Sequence, residues 1–260
     1  MIELLANLQP LILVGMLILM YGIENMRPYL QKAPNQKQHD LRNAGMSLIS
    51  FVINGLLGLA VLASVEWTAA NQFGILNQIT LPNWVEIILG VLLIDLGSYG
   101  MHNLSHRIPL LWRFHRVHHS DPNLNATSSL RFHPFEVVLT QGIYQAAAVV
   151  LFGISMPTFI IYGCIALPLI ILQHSNVKWP DWIEQPTRYI FATPGWHKIH
   201  HSDDRPLTDS HFGDVFTFWD RIFGTWRPTR PEDIQYGLTE FKEDSKQSIG
   251  YQMMLPFRKN

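Results

Sequence analysis

Charge is scarce in this chain. Asp, Glu, Lys and Arg make up 15% of its 260 residues, against about 25% in soluble domains, so long stretches have nothing to offer water. The scarcity is patterned. None of the 19 Lys and Arg falls in the first 26 residues, between Arg42 and Arg107, or between Arg131 and Lys178. The formal net charge of −1 lacks the basic excess of a nucleic-acid binder, so no nucleic-acid partner is expected. A single cysteine, Cys164, excludes a disulfide framework and any thiolate-held zinc or iron–sulfur site. It reads as a small apolar residue in a membrane helix. No G-x-G-x-x-G precedes a helix, and there is no P-loop and no G-x-S-x-G, so no nucleotide or flavin site of the chain's own is expected.

Apolar segments fill the gaps between the basic residues. A spanning helix needs roughly 20 mostly apolar residues. Leu4–Ile23, Ala44–Val65, Trp84–Met101, Val137–Ile154 and Pro157–Leu172 approach or meet that length. The first has no basic residue before it and no small-residue cleavage site, and reads as a retained anchor. The last two read as a hairpin turning near Ser155–Pro157, the fifth segment being short and carrying Pro168. Basic residues follow the first, third and fifth segments. With the N-terminus outside, all of them share the cytoplasmic side. The expected fold is all-α and integral to the membrane: four to five transmembrane helices with a cytoplasmic helical cap. Residues 1–83 hold N-terminal spans and loops, 84–226 the chemistry, and 227–260 a polar tail packed on the cap.

What the chain has in excess is histidine. Eleven of its 12 histidines lie between His102 and His211. They form HNLSH (His102, His106), HRVHH (His115, His118, His119) and HKIHH (His197, His200, His201), with His133, His174 and His211 single. Residues three and four apart share a helix face, so each cluster aims imidazoles at one place. Neutral imidazole is the commonest metal ligand, and this many candidates exceed what one tetrahedral ion takes; a two-metal centre is expected. In HxxHH the first member and a later one can share an ion, while the two adjacent members point about 100° apart and can serve different ions. His174 ends the fifth span and reads as a further ligand. His133 reads as ligand, outer-shell donor or surface residue, and His211 as ligand or polar neighbour. His39 reads as a surface residue of a polar loop over 31–43. Asp95, Tyr99, His102 and His106 line one face of the third span. Asp95 either accepts from the distal nitrogen of a ligand imidazole or pairs with an arginine such as Arg107.

An all-imidazole site suits Zn, Cu, Fe or Ni. Neither box carries the glutamate of H-E-x-x-H expected of a zinc hydrolase. Two irons beside a lipid can activate O2 toward an unreactive C–H bond, which favours iron. A metal transporter or sensor is the alternative, but such proteins place ligands near the membrane midplane, whereas these sit at span ends. Trp112, Phe114, Trp196 and Trp219 either line substrate access or mark the membrane interface. Arg113 and Arg116 read as contacts for lipid head groups or an acidic electron donor.

The series D…Y..HNLSH, LWRFHRVHHS, RFHPFE, QHSN, TPGWHKIHHS and FWDRIFGTW resembles the fatty acid hydroxylase/sterol desaturase superfamily over roughly residues 90–226. The resemblance implies a non-haem di-iron oxygenase that hydroxylates or desaturates a lipid with O2. Its electrons would come from a separate donor, cytochrome b5-like or ferredoxin-like. It implies His102, His106, His115, His118, His119, His174, His197, His200 and His201 as ligands. The family commonly has asparagine, in N-(Y/F)-G, where this chain has His211.

Overall fold

The computed structural model describes residues 2–258. It is helical throughout, and among the described residues the only β pairings are two isolated bridges, Phe191–Phe216 and Ser202–Tyr236. Five helices are long and apolar enough to cross a membrane: α1 (Ile2–Met26), α2 (Gln36–Ala70), α3 (Asn83–Arg107), a composite fourth span and α7 (Met156–His174). The fourth span runs as α5 (Pro134–Val137), a π-helical segment over Val138–Tyr144, and α6 (Gln145–Phe152). In lipid only a helix or a closed barrel satisfies its own backbone, so the apolar runs of the sequence have one solution here. The chain is a multi-pass membrane protein.

At one end of the bundle the connections are short and touch each other. α6 closes on Gly153 in the left-handed conformation (φ 74°), opposite Gly74 (φ 94°). A Cβ on Gly74 would sit 2.3 Å from the Gly153 nitrogen, so the loop crossing requires glycine there. The Ile75 N–H donates to the Leu151 carbonyl at 3.1 Å, tying the two loops together.

The other end carries the cap. It comprises α4 (Pro109–His119), α8 (Asp181–Thr187), α9 (Pro194–His200) and the C-terminal residues, which include a short helix over Ile249–Met254. α2 rises about 52 Å at 1.5 Å per residue, well beyond a ~30 Å hydrocarbon core, so its first turns stand inside the cap. This corrects the expectation of a loop over 31–43. His39 is helical and 6% exposed, with Nε2 2.7 Å from Asp121 Oδ1 and Nδ1 3.1 Å from Asp40 Oδ1.

Arg131 clamps this end together. Fully buried, it donates to the Val117 carbonyl (3.0 Å), Asn43 Oδ1 (3.1 Å), Ser120 Oγ (3.0 Å) and Gln247 Oε1 (2.7 Å). One side chain thereby joins α2, the end of α4 and the C-terminal segment. Burial alone would raise the Asp121 carboxyl, but His39 and Arg131 beside it hold it far below the usual carboxylate range. Arg116, expected to meet a partner or lipid head groups, is instead buried and donates to the Leu255 carbonyl at 2.8 Å. The tail packs on the cap through these contacts.

Candidate metal centre

The two HxxHH boxes lie at the ends of short helices that start on proline. α4 begins at Pro109 and α9 at Pro194, with Thr193 Oγ1 accepting from the Trp196 N–H to cap α9. Helical spacing then splits each box. His115 and His119, four apart, face one point together with His102, His106 and His200. His197 and His201, four apart, face a second point together with His118 and His174. The member three residues into each box crosses to the other set. Within each set the nitrogens lie within 4.8 Å of one another. The sets adjoin: the rings of His118 and His119 are 5.5 Å apart, as are those of His200 and His201.

Outer hydrogen bonds turn the rings inward. His102 Nδ1 meets the Phe212 carbonyl (3.0 Å) and Asp214 Oδ1 (3.3 Å). His106 Nδ1 meets Asp209 Oδ1 (3.1 Å), and His115 Nδ1 meets Glu136 Oε1 (2.5 Å). Backbone carbonyls of Arg131, Ile170 and Ser210 take Nδ1 of His118, His174 and His200. With Nδ1 occupied, Nε2 is left to face the set, as metal-binding histidines are held. Nε2 of His115 and His119 stand 3.1 Å apart, and those of His174 and His118 3.0 Å apart. Nε2 of His106 and of His200 is buried without a hydrogen-bond partner among the described residues.

The electrostatics agree with that arrangement. Burial first, then the neighbouring imidazoles, pushes His118, His119, His197 and His201 well below the ordinary histidine value; His200 is pushed down likewise by burial and His102. Neutral rings with inward lone pairs cannot satisfy one another, since a buried acceptor without a donor costs free energy. A bound cation in each set would supply the missing partner. The donor set, all imidazole and buried apart from the partly exposed His102, fits a divalent transition metal.

The sequence profile of the fatty acid hydroxylase family matches residues 87–225. The chain belongs to that family. It is 30% identical to an ornithine lipid hydroxylase of Rhizobium tropici over 79% of this chain and 61% of that one. It is 29% identical to the human alkylglycerol monooxygenase over 60% of this chain and 33% of that one. It is 28% identical to the human cholesterol 25-hydroxylase over 55% of this chain and 51% of that one. The chain thus spans between a third and about three fifths of the length of these relatives. No solved structure matches it.

Three residues singled out from the sequence stand outside the two sets. His133 lies in neither set: its Nδ1 accepts the Phe135 N–H at 3.1 Å, capping α5, and its Nε2 faces the Met253 carbonyl. His211 also lies in neither set; its ring packs on Trp196 at 4.3 Å. Among the described residues Asp95 bonds to no histidine and no arginine. It accepts from Trp219 Nε1 (2.9 Å), the Phe216 N–H (3.2 Å) and Tyr162 Oη (3.1 Å), which anchors the loop carrying Asp214 beside α3. The carboxylates that hold imidazoles are Asp214, Asp209 and Glu136, which the sequence reading did not single out. DSHFGD and RFHPFE contain them, and an acidic residue inside a histidine-bearing motif was the available signal.

Beneath the histidines a cavity of about 340 Å³ runs between α3, the π segment and α7. His102, His115, His118, His174 and His197 form its roof; Ile94, Ala148, Phe159 and Ala166 lie toward the far end. Trp112, Phe114, Trp196 and Trp219 do not border it. Trp112 packs on His106 and His119 beneath Arg205, Phe114 packs on Phe135, and Trp196 is fully buried. The aromatic walls are Phe132, Tyr144, Phe159 and Tyr162. The π segment widens the fourth span where it meets the cavity, the position in which such irregularities are found at functional sites.

Proposed function

We propose that the chain is a membrane-bound non-haem di-iron oxygenase that hydroxylates or desaturates a lipid. One observation carries this reading: nine imidazoles, eight of them buried and His102 partly so, converge in two adjoining sets, and five of them roof a cavity that runs down among membrane-spanning helices. His102, His106, His115, His119 and His200 would hold one iron, and His118, His174, His197 and His201 the other. A pair of irons would supply the redox chemistry that activates O2. For hydroxylation, R–H, O2, two electrons and two protons give R–OH and water.

The protein's own residues bind, orient and exclude. Asp214, Asp209 and Glu136 fix the ring orientation of His102, His106 and His115. The far end of the cavity, mainly apolar but with Gln9 and Gln145 in its lining, takes hydrocarbon and keeps bulk water away, so that a methylene is held against the roof. The electrons come from a separate donor, cytochrome b5-like or ferredoxin-like, meeting the cap. The basic residues at the cap end support a cytoplasmic position for the histidines, with the N-terminus outside.

Similarity to enzymes named as lipid hydroxylases and monooxygenases supports this reading. The test is metal analysis and oxygen-dependent turnover. Purified protein should carry two irons per chain, one per set, and in a host it should generate an oxidised membrane lipid that the His118→Ala variant does not. Lipid oxidation undiminished after removal of all metal would overturn the proposal.

A further inference from the structure

We propose that Tyr144 is a movable partition between the histidine-roofed cavity and a second space, an outer groove along α3 that seats a lipid with an anionic headgroup. The inference rests on the oxygenase reading for its purpose, since only then must a bilayer lipid reach the histidines. Its geometry is independent of that reading.

The groove has a volume of about 530 Å³ and is walled by Leu96, Gly100 and Leu104 of α3, Phe152 of α6, and Phe223. These residues belong to, or pack beside, membrane-spanning segments, so hydrocarbon is what meets them. At the cap end of the groove stand Asn103 and Arg107. Arg107 is exposed and makes no ion pair with any described residue. It closes α3, where the span meets water, which is the level of lipid phosphates. An apolar trough with one unpaired cation at its interfacial end matches a lipid of that leaflet: acyl chain below, anionic headgroup at the arginine.

Tyr144 borders both spaces. It is the last residue of the π segment, and its hydroxyl donates to the Gly97 carbonyl at 2.7 Å. No α3 side chain pins the ring there, because the facing residues are glycines. A Cβ at Gly97 would lie 3.6 Å from the Tyr144 oxygen, and one at Gly100 3.7 Å from it. One hydrogen bond holds the hydroxyl against α3. Its release would join groove and cavity into a single path from the bilayer to the histidines. Such side-chain swings are fast compared with turnover.

The test begins with binding, which needs no turnover. Intact purified protein is exchanged into mixed dioleoyl-phosphatidylglycerol and dioleoyl-phosphatidylcholine, and retained lipid is read by native mass spectrometry. Wild type should retain phosphatidylglycerol preferentially. Arg107→Gln should reduce that preference about fivefold, the contribution of one basic side chain beside an anionic surface, and Arg107→Lys should restore it. Gly100→Leu, which fills the groove, should abolish retention while leaving metal content unchanged. Equal retention by wild type and Arg107→Gln would overturn the proposal. So would a protein dimer that Gly100→Leu dissolves, because the groove would then be a contact between copies. For the partition, Tyr144→Phe should change KM for bilayer-presented lipid; an unchanged KM overturns the gating role. If iron-loaded wild type oxidises no lipid, the oxygenase reading fails, whereas the retention results still decide the groove.

Discussion

Glu136 Oε1 stands 2.5 Å from Nδ1 of His115, with both side chains buried. The other carboxylate oxygen of Glu136 has no hydrogen-bond partner among the described residues, and Glu136 borders the cavity. A carboxylate on the outer nitrogen fixes the tautomer and raises the basicity of the inner one. Glu136→Ala should therefore weaken metal retention about 10–100-fold, measured as loss of iron to a competing chelator. Glu136→Gln keeps an acceptor of the same shape and should fall between wild type and alanine. Retention in the alanine variant equal to wild type would remove Glu136 from the metal's support.

The crossing of the two boxes makes a separate forecast. His200 belongs to the set dominated by HNLSH and HRVHH, whereas its neighbour His201 belongs to the set built around His174. Alanine at His200 and at His201 should each remove one ion of the two, but different ones. His102→Ala combined with His200→Ala should cost no more metal than either change alone, since both empty one set. His102→Ala combined with His201→Ala should leave the protein metal-free. Metal content by mass spectrometry checks this, and additive loss in the first pair would break the assignment of residues to sets.

Stability of the metal-free protein should depend on pH in a defined direction. Burial, with the neighbouring rings, depresses His118, His119, His197, His200 and His201 in the folded chain. An unfolded chain has these rings near 6.5. Below that value the unfolded state binds protons that the folded state refuses, so stability rises with pH and is lost as pH falls from about 6.5 downward. Each such ring contributes a slope of up to ~1.4 kcal/mol per pH unit. The thermal midpoint of metal-free protein should drop steeply between about pH 7 and pH 5. Bound metal should flatten the upper part of that slope, because it holds the rings neutral. A flat profile without metal would mean that the histidines are hydrated and open.

Much of this was legible in the sequence, for identifiable reasons. Long apolar runs without the alternation of a barrel strand admit only a helix in lipid, so all five spans were readable, and helical periodicity alone divides an HxxHH box between two directions. The failures share a cause. Asp95 reads as the partner of an imidazole or of an arginine because it lies on the His102 face of α3, but helix periodicity does not say which distant segment covers that face. The loop bearing Phe216 and Trp219 does, and it takes both carboxylate oxygens' attention with Tyr162. Asp209, Asp214 and Glu136 serve the rings from positions 103, 112 and 21 residues away in sequence, pairings set by tertiary packing. His39 was misplaced because a polar run reads as loop, whereas α2 continues past the membrane into a cap that supplies Asp121 as its partner.

His211 offers the sharpest division between ligand and scaffold. It is one of two non-glycine residues with positive φ among those described, at 56°, a conformation that Asn tolerates and β-branched residues do not. Its Nδ1 bonds to Ser210 Oγ at 2.8 Å, and its ring packs on Trp196. Burial, with Arg188, Arg221 and Arg227 nearby, pushes its pKa down to about 3, so the ring is neutral at any working pH. A scaffold residue of this kind should accept His211→Asn with full metal content and little change in the thermal midpoint, because asparagine keeps a polar group and the backbone geometry. His211→Val should cost about 1–3 kcal/mol through backbone strain, again with metal content unchanged once the protein is folded. Loss of one ion on His211→Asn would show instead that the imidazole reaches a metal, and that the two sets hold more than nine rings.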